Sequence, residues 1–281
     1  MQGGDGHDIF VAGAGADIMV GGAGNDSYEV ADADDVVIEA AGGGYDAVWA
    51  RLNSHNLADN IEALYFVGTG NFTGVGNALN NYMQGGDGHD IFVAGAGADT
   101  MVGGAGNDSY EVADANDLVI EAADGGYDAV WARLNSHNLE ANVEALFFVG
   151  SGNFTGIGNV LDNFIVGGSG NDFLDGGAGN DVITGGAGND TMNASLGDDI
   201  FVFSAAGFGA DQIIGFDAVA AGGQDRLDIS GLGITAATFA SSVQINAAGA
   251  DTLINIGADS IRLVGVADAT SVNATDFILA T

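Results

Sequence analysis

The sequence predicts an all-β fold: a right-handed parallel β-roll or β-helix solenoid closed by a C-terminal β cap. Three observations predict it. The pattern Gly-Gly-x-Gly-x-Asp-x-apolar-x recurs every nine residues. The position two residues after each of its aspartates is apolar or aromatic wherever the pattern occurs. Residues 1–82 and 83–164 are near-identical copies, so a short repeat is nested in a longer one. A fixed period of this kind marks a chain whose units bury their apolar face only by stacking.

The first run opens with Gly3-Gly4-Asp5-Gly6-His7-Asp8, and its copy opens with Gly85-Gly86-Asp87-Gly88-His89-Asp90. After each aspartate the chain alternates outward, inward, outward, as a short strand does. The inward set is Phe10, Met19, Tyr28, Phe92, Met101, Tyr110, Leu174, Ile183, Met192 and Phe201. Each nonapeptide is therefore a loop followed by a core-facing strand, and two of them make one turn of the coil. The phase survives into glycine-poor sequence at Asp35 and Val37, and again at Asp117 and Val119. It then slips: Asp46-Ala47-Val48 and Asp128-Ala129-Val130 follow at eleven residues rather than nine, which predicts longer loops at Gly42-Gly43-Gly44 and Gly125-Gly126. The apolar runs 61–67 and 143–149 read as strands. Asn81 and Asn163 stand nine residues before Asp90 and Asp172. They read either as neutral substitutes at the aspartate position or as rungs of a hydrogen-bonded asparagine ladder.

The pattern is purest in 167–193, and a degenerate copy, 194–202, keeps Asp199 and Phe201 in phase. The expected organisation is 1–82 and 83–164 as two solenoid super-repeats, 165–202 as nonapeptide repeats, and 203–281 as the cap. At eighteen residues per turn, residues 1–202 would make about eleven turns stacked at ~4.8 Å.

The chemistry of the loops points to a hard cation. Calcium takes oxygens from carboxylates and carbonyls. Glycine lets a tight loop turn its carbonyls inward, and aspartate adds a short carboxylate with little entropy to lose. Charge points the same way. The chain carries 39 acidic residues against four arginines and no lysine, a formal charge of −35, yet 47% of it is hydrophobic. That hydrophobic content is too high for a disordered acidic tail; the acidic loops need cations to stack. So acidic a surface suits neither nucleic acid nor an anionic membrane.

The nonapeptide resembles the RTX (repeat-in-toxin, hemolysin-type calcium-binding) family. In that family the ion lies between stacked loops of repeats n and n+2. The resemblance implies several bound Ca2+ ions, with ligands at Gly4, Gly6, Asp8, Gly13, Gly15, Asp17, Gly22, Gly24 and Asp26. In the second copy it implies Gly86, Gly88, Asp90, Gly95, Gly97, Asp99, Gly104, Gly106 and Asp108. In the last run it implies Gly168, Gly170, Asp172, Gly177, Gly179, Asp181, Gly186, Gly188, Asp190 and Asp199. The expected pairs are Asp8 with Asp26, Asp90 with Asp108, Asp172 with Asp190 and Asp181 with Asp199, while Asp17 and Asp99 must find weaker neighbours.

Beyond 202 the sequence leaves the repeat. Residues 209–217 lead to Gly223-Gln224-Asp225-Arg226-Leu227, and strand-like runs follow at 252–256 and 260–264. This stretch resembles the C-terminal region of serralysin-type proteases, and its ending Asp276-Phe277-Ile278-Leu279 is similar in kind to a type I secretion signal. It reads equally as a final edge strand. The resemblance implies an extracellular, secreted or cell-surface protein, handled by type I secretion machinery and folding on calcium. The chain has no cysteine and no proline, and no secretory signal or apolar membrane span is visible in it. Met1 aligns with the internal Met83, so the expectation is a fragment that starts inside a solenoid, with a further domain upstream.

Catalytic motifs are not found. There is no His-Glu-x-x-His, no Gly-x-Ser-x-Gly and no lysine-bearing phosphate loop. The chain therefore reads as a binding and structural module, not an enzyme. No threonine row lines the outward loop position, which sets ice binding aside. Tyr45, Trp49, Arg51 and His55 place arginine beside large aromatics. They read either as a platform for an extracellular polysaccharide or, with greater weight, as local packing and ion pairing. The alternative function is thus an accessory module of a secreted carbohydrate-active enzyme or hydrolase.

Overall fold

The computed structural model describes residues 1–218 and 224–281, so Gly223 of the C-terminal motif lies outside the described residues. The chain forms two compact units, 1–131 and 132–281. Both are built from short strands that pair in parallel with the strand one turn away.

In the first unit one sheet runs Ile9–Val11, Ser27–Val30, Ala47–Ala50, Ala63–Phe66, Tyr82–Gln84, Thr100–Val102 and Leu118–Ile120. The intervening strands pair separately: Ile18–Val20 with Val36–Ile38, and Ser54–Asn56, Thr73–Val75, Ile91–Val93 and Ser109–Val112 in succession. Alternate nonapeptides therefore face each other across a thin core. The pairings Phe10 with Tyr28 and Met101 with Val119 set the regular step. At the slip the step becomes 20 residues from Asp26 to Asp46, then 16 from Asp46 to Glu62. The two deviations cancel, so the register recovers.

In the second unit one sheet orders Ala145–Phe148, Phe164–Gly168, Val182–Gly186, Ile200–Val202, Arg226–Asp228 and Phe277–Ile278. The other orders Ser136–Asn138, Thr155–Ile157, Phe173–Asp175, Thr191–Asn193, Ala210–Ile214 and Asp259–Val264. Asp251–Ile256 and Val243–Ala248 then continue that sheet in antiparallel fashion, ending the parallel stack. The α-helix Phe239–Ser242 is a single turn. Among the described residues no helix is long and apolar enough to cross a membrane.

All ten inward residues are buried, each at the second position of its strand. Aromatic rings stack along the core, as Phe10 does on Tyr28 at 5.0 Å and Phe92 on Tyr110 at 5.6 Å. Where Phe72 and Leu64 fill the interior, the inward position of the next strand shrinks to Gly74, which has no room for a Cβ.

Candidate metal centre

The loops place their aspartates in columns along the solenoid. One carboxylate oxygen of each aspartate accepts the backbone N–H of the residue one turn earlier. Asp26 Oδ1 accepts from Asp8 N at 2.8 Å, Asp108 from Asp90 at 2.7 Å, Asp190 from Asp172 at 2.9 Å and Asp199 from Asp181 at 2.8 Å. The four pairs expected from sequence are therefore vertical neighbours. The middle repeats also find partners: Asp17 N donates to Asp35 Oδ1 and Asp99 N to Asp117 Oδ1, each at 3.0 Å.

The second carboxylate oxygen separates the aspartates into two groups. In Asp8, Asp17 and Asp90 it accepts from the backbone of the same loop, at Gly4 N, Gly13 N and Gly86 N. In Asp26, Asp99, Asp108, Asp172, Asp181, Asp190 and Asp199 the Oδ2 atom is buried with no hydrogen-bond donor. A buried carboxylate oxygen left bare costs several kcal/mol unless a cation or proton meets it. Burial accordingly pushes Asp99, Asp108, Asp181 and Asp190 up to about 6 and Asp199 up to about 7.

The surroundings of that oxygen are made of acceptors. A Cβ built at Gly3 would collide with Asp8 Oδ2 and lie 2.8 Å from the Gly21 carbonyl oxygen, which belongs to the next turn. Gly85 repeats this with Asp90 and the Gly103 carbonyl, and Gly167 with Asp172 and the Gly185 carbonyl. A carboxylate of repeat n and a carbonyl of repeat n+2 thus converge over a glycine Cα. At Asp8 and Asp90 the same oxygen also accepts from Gly4 N and Gly86 N, whereas Asp172 Oδ2 has no donor; two acceptors without a donor suit a hard cation. The residues present fit calcium on this ground.

The glycines serve two separate ends. Where the motif opens with a glycine, that glycine leaves space for the carboxylate: a Cβ at Gly176 or Gly185 would strike Asp181 or Asp190 Oδ2; the repeats of Asp17 and Asp99 open with Ala12 and Ala94 instead. The later glycines turn the loop and stack it. Gly24 has φ +127°, and its Cα rests against the Gly6 carbonyl one turn below; Gly188 does the same on Gly170. The sequence points to the glycines at motif positions two and four and not to the one at position one. The signal was the doubled Gly-Gly, since φ freedom at one position does not require a glycine at both.

Two further groups were missed. The aspartate columns continue into the cap, where Asp190 N donates to Asp211 Oδ1 at 2.8 Å and Asp199 N to Asp225 Oδ1 at 2.9 Å. Both have the Asp-x-apolar signature, Asp211-Gln212-Ile213 and Asp225-Arg226-Leu227, at altered spacing. Glu39 and Glu121 are also buried beside the columns. The asparagines stand at column positions, Asn81 N donating to Asp99 Oδ1 at 2.7 Å and Asn163 N to Asp181 Oδ1 at 2.8 Å, and their amides bond backbone carbonyls: Asn81 Nδ2 donates to Ile61 O at 2.9 Å and Asn163 Nδ2 to Val143 O at 3.2 Å. The amide puts a donor where the aspartates leave a bare acceptor.

The aromatic–arginine group divides. Trp49 is 41% exposed and stacks on Tyr65 at 4.5 Å, with Tyr82 next at 5.6 Å. Arg51 pairs with Glu29 at 2.7 Å. His55 lies on Ser54–Asn56, in the other sheet.

The model of the RTX calcium-binding nonapeptide repeat matches four segments, 1–37, 75–110, 157–192 and 166–201. The chain carries RTX calcium-binding nonapeptide repeats. Solved structures that resemble it include the AlgE6R3 subunit of the Azotobacter vinelandii mannuronan C5-epimerase, at 28% identity over 47% of this chain and 81% of that one, with a TM-score of 0.38. The AlgE6R2 subunit matches at 29% identity over 44% and 91%, TM-score 0.32. The extracellular lipase LipA of Serratia marcescens matches at 22% identity over 85% and 45%, TM-score 0.37. No curated protein matches the chain.

Proposed function

We propose that this RTX chain is a module that folds on calcium outside the cell and supports secretion, stability or surface display of the protein it belongs to. The observation that carries the reading is the row of buried aspartate oxygens that no hydrogen-bond donor meets. Each such cradle draws ligands from two turns, so it does not exist in the unfolded chain, and binding energy becomes folding energy. Calcium would be held by the column aspartates together with first-glycine carbonyls of the following turn, and it would supply charge neutralisation between rungs. Type I secretion fits a chain that stays unfolded where calcium is scarce and orders where it is plentiful.

The test is circular dichroism during calcium titration and thorough chelation. The β signal should collapse in chelator and return with a midpoint on the order of 10⁻⁴–10⁻³ M calcium, the range of extracellular modules. Asp181→Ala should move that midpoint upward several-fold, and the exposed change Ala187→Ser should not. A spectrum indifferent to chelation ends the reading.

A second reading rests on Trp49, exposed and stacked on Tyr65, whose ring is of the kind a sugar covers. It predicts that an anionic polysaccharide quenches or shifts Trp49 fluorescence in the calcium-loaded chain. Unchanged emission at saturating polysaccharide removes it.

A further inference from the structure

The two slips in the nine-residue spacing carry a different kind of site. In a regular turn, Asp8 Oδ2 faces the Gly21 carbonyl over the Cα of Gly3. One turn later the position above Gly21 is held by Glu39, eighteen residues on, where the motif would have its first glycine. Glu39 lies two residues past the buried Val37, so strand alternation turns its side chain inward. The carboxylate therefore stands where a carbonyl stood. A Cβ at Gly21 would collide at once with Asp26 Oδ2, Glu39 Oε1 and the Tyr28 hydroxyl. The two extra residues of the slip then bring Asp46 over Asp26, with Asp26 N donating to Asp46 Oδ1 at 2.7 Å.

The result is three carboxylates, Asp26, Glu39 and Asp46, each offering an oxygen within 4.8 Å of the other two. Asp26 is 1% exposed and Asp46 0%, and the Oδ2 atoms of both lack a hydrogen-bond donor. The Tyr28 hydroxyl donates to Glu39 and so leaves those two oxygens bare. Asp108, Glu121 and Asp128 form the same buried triad in the second copy, and Tyr110 donates to Glu121 there. Carboxylates this close repel strongly in a low-dielectric interior. The ion pair of Arg51 goes to Glu29, outside the triad.

We propose that each slip is a cation site of a second type, Asp26–Glu39–Asp46 and Asp108–Glu121–Asp128, taking one hard divalent cation of the calcium class. The proposal rests on the calcium reading and deepens it: it takes Asp26 and Asp108 from the nonapeptide columns and adds a glutamate and a slip aspartate where a loop site has a carbonyl. Its ligands come from three chain segments, so one ion fastens the long loop after Glu39 to the turn below it. Calcium affinity rises with the number of charged ligands, so these sites fill before the loops that combine one carboxylate with carbonyls. Calcium is favoured over magnesium, because three carboxylates fixed by backbone columns do not adjust to a strict small octahedron.

The test uses the full chain. Crystals soaked with manganese or terbium as calcium substitutes should show an anomalous peak bonded to oxygens of Asp26, Glu39 and Asp46, and another at the second triad. Ion counting by mass spectrometry after dialysis at micromolar calcium should give two fewer ions per chain for E39Q/E121Q than for the unmodified chain. Glutamine keeps the size of the side chain and can still accept from Tyr28 and Tyr110. Peaks in the nonapeptide loops with none at the triads, or equal ion counts for variant and parent, overturn the proposal and leave the calcium module standing. Bare density at both places overturns both readings. If E39Q/E121Q does not fold, the anomalous map of the unmodified chain decides alone.

Discussion

At the residue scale, aspartate and glycine divide the work in a way that only partly shows in sequence. The aspartate columns were legible because their spacing is regular and their chemistry is specific. The role of the first glycine was hidden, since a sequence displays the residue and not what leans over it. Gly185 makes this testable. Its φ lies outside the left-handed region, so alanine is allowed by the backbone, but the added Cβ would run into Asp190 Oδ2. Gly185→Ala should therefore displace the carboxylate and raise the calcium midpoint, read by circular dichroism. It should do so more than Ala187→Ser in the same loop. If the two variants titrate alike, the first glycine is a matter of backbone conformation and not of room for the carboxylate. Asp181→Ala has a cost of its own even before metal is considered. It strips the acceptor from the buried Asn163 N–H, a loss of about 1–3 kcal/mol.

At the element scale, the solenoid was legible as far as the period held. The strand at each Asp-x-apolar step follows from alternation, and the core it buries follows from the inward residue. Where the spacing stretched, the sequence still carried the tripeptide, as at Asp46-Ala47-Val48 and Asp211-Gln212-Ile213, but spacing alone could not place those residues in a column. That Glu39 faces inward was hidden for the same reason: its partner, Gly21, is a neighbour only after the chain has coiled. The cap shows how such a stack is ended. Phe277–Ile278 adds a parallel edge to Arg226–Asp228, and the preceding turn is fixed by a capping box between Asn273 and Asp276. Asp276 is fully buried and also accepts from Gln224 Nε2 at 2.6 Å. Asp276→Ala removes the acceptor of the Asn273 N–H and the partner of Gln224, a loss of about 1–3 kcal/mol. The melting temperature of the calcium-loaded chain should fall by about 2–4 °C per kcal/mol lost, as for units of this size. The calcium stoichiometry should stay the same, because Asp276 stands outside the columns. A loss of bound ions in this variant would mean that the cap reaches into the metal sites.

At the scale of the whole molecule, a formal charge of −35 is held together by a fold that buries many of its carboxylates. That arrangement gives the metal-free chain an unusual response to pH. Burial raises Asp46, Asp99, Asp108, Asp181 and Asp190 to about 6, and Asp199 and Asp211 to about 7. Unfolded aspartates titrate near 3.9. Between about pH 4 and pH 7 the folded chain therefore binds more protons than the unfolded chain, and stability falls as pH rises. The contribution is complete below the unfolded value and is lost as pH climbs through the folded ones. In chelator the chain should thus keep more β signal at about pH 5 than at about pH 7.5, where it is unfolded. Calcium inverts the sign, because it binds the deprotonated carboxylates and protons compete with it. In millimolar calcium the chain should melt higher at about pH 7.5 than at about pH 5. Circular dichroism on the four combinations of pH and calcium, with thermal melts where the chain is folded, checks both halves together. A single order of stability, with or without the ion, would mean that the buried aspartates are not where cation and proton exchange.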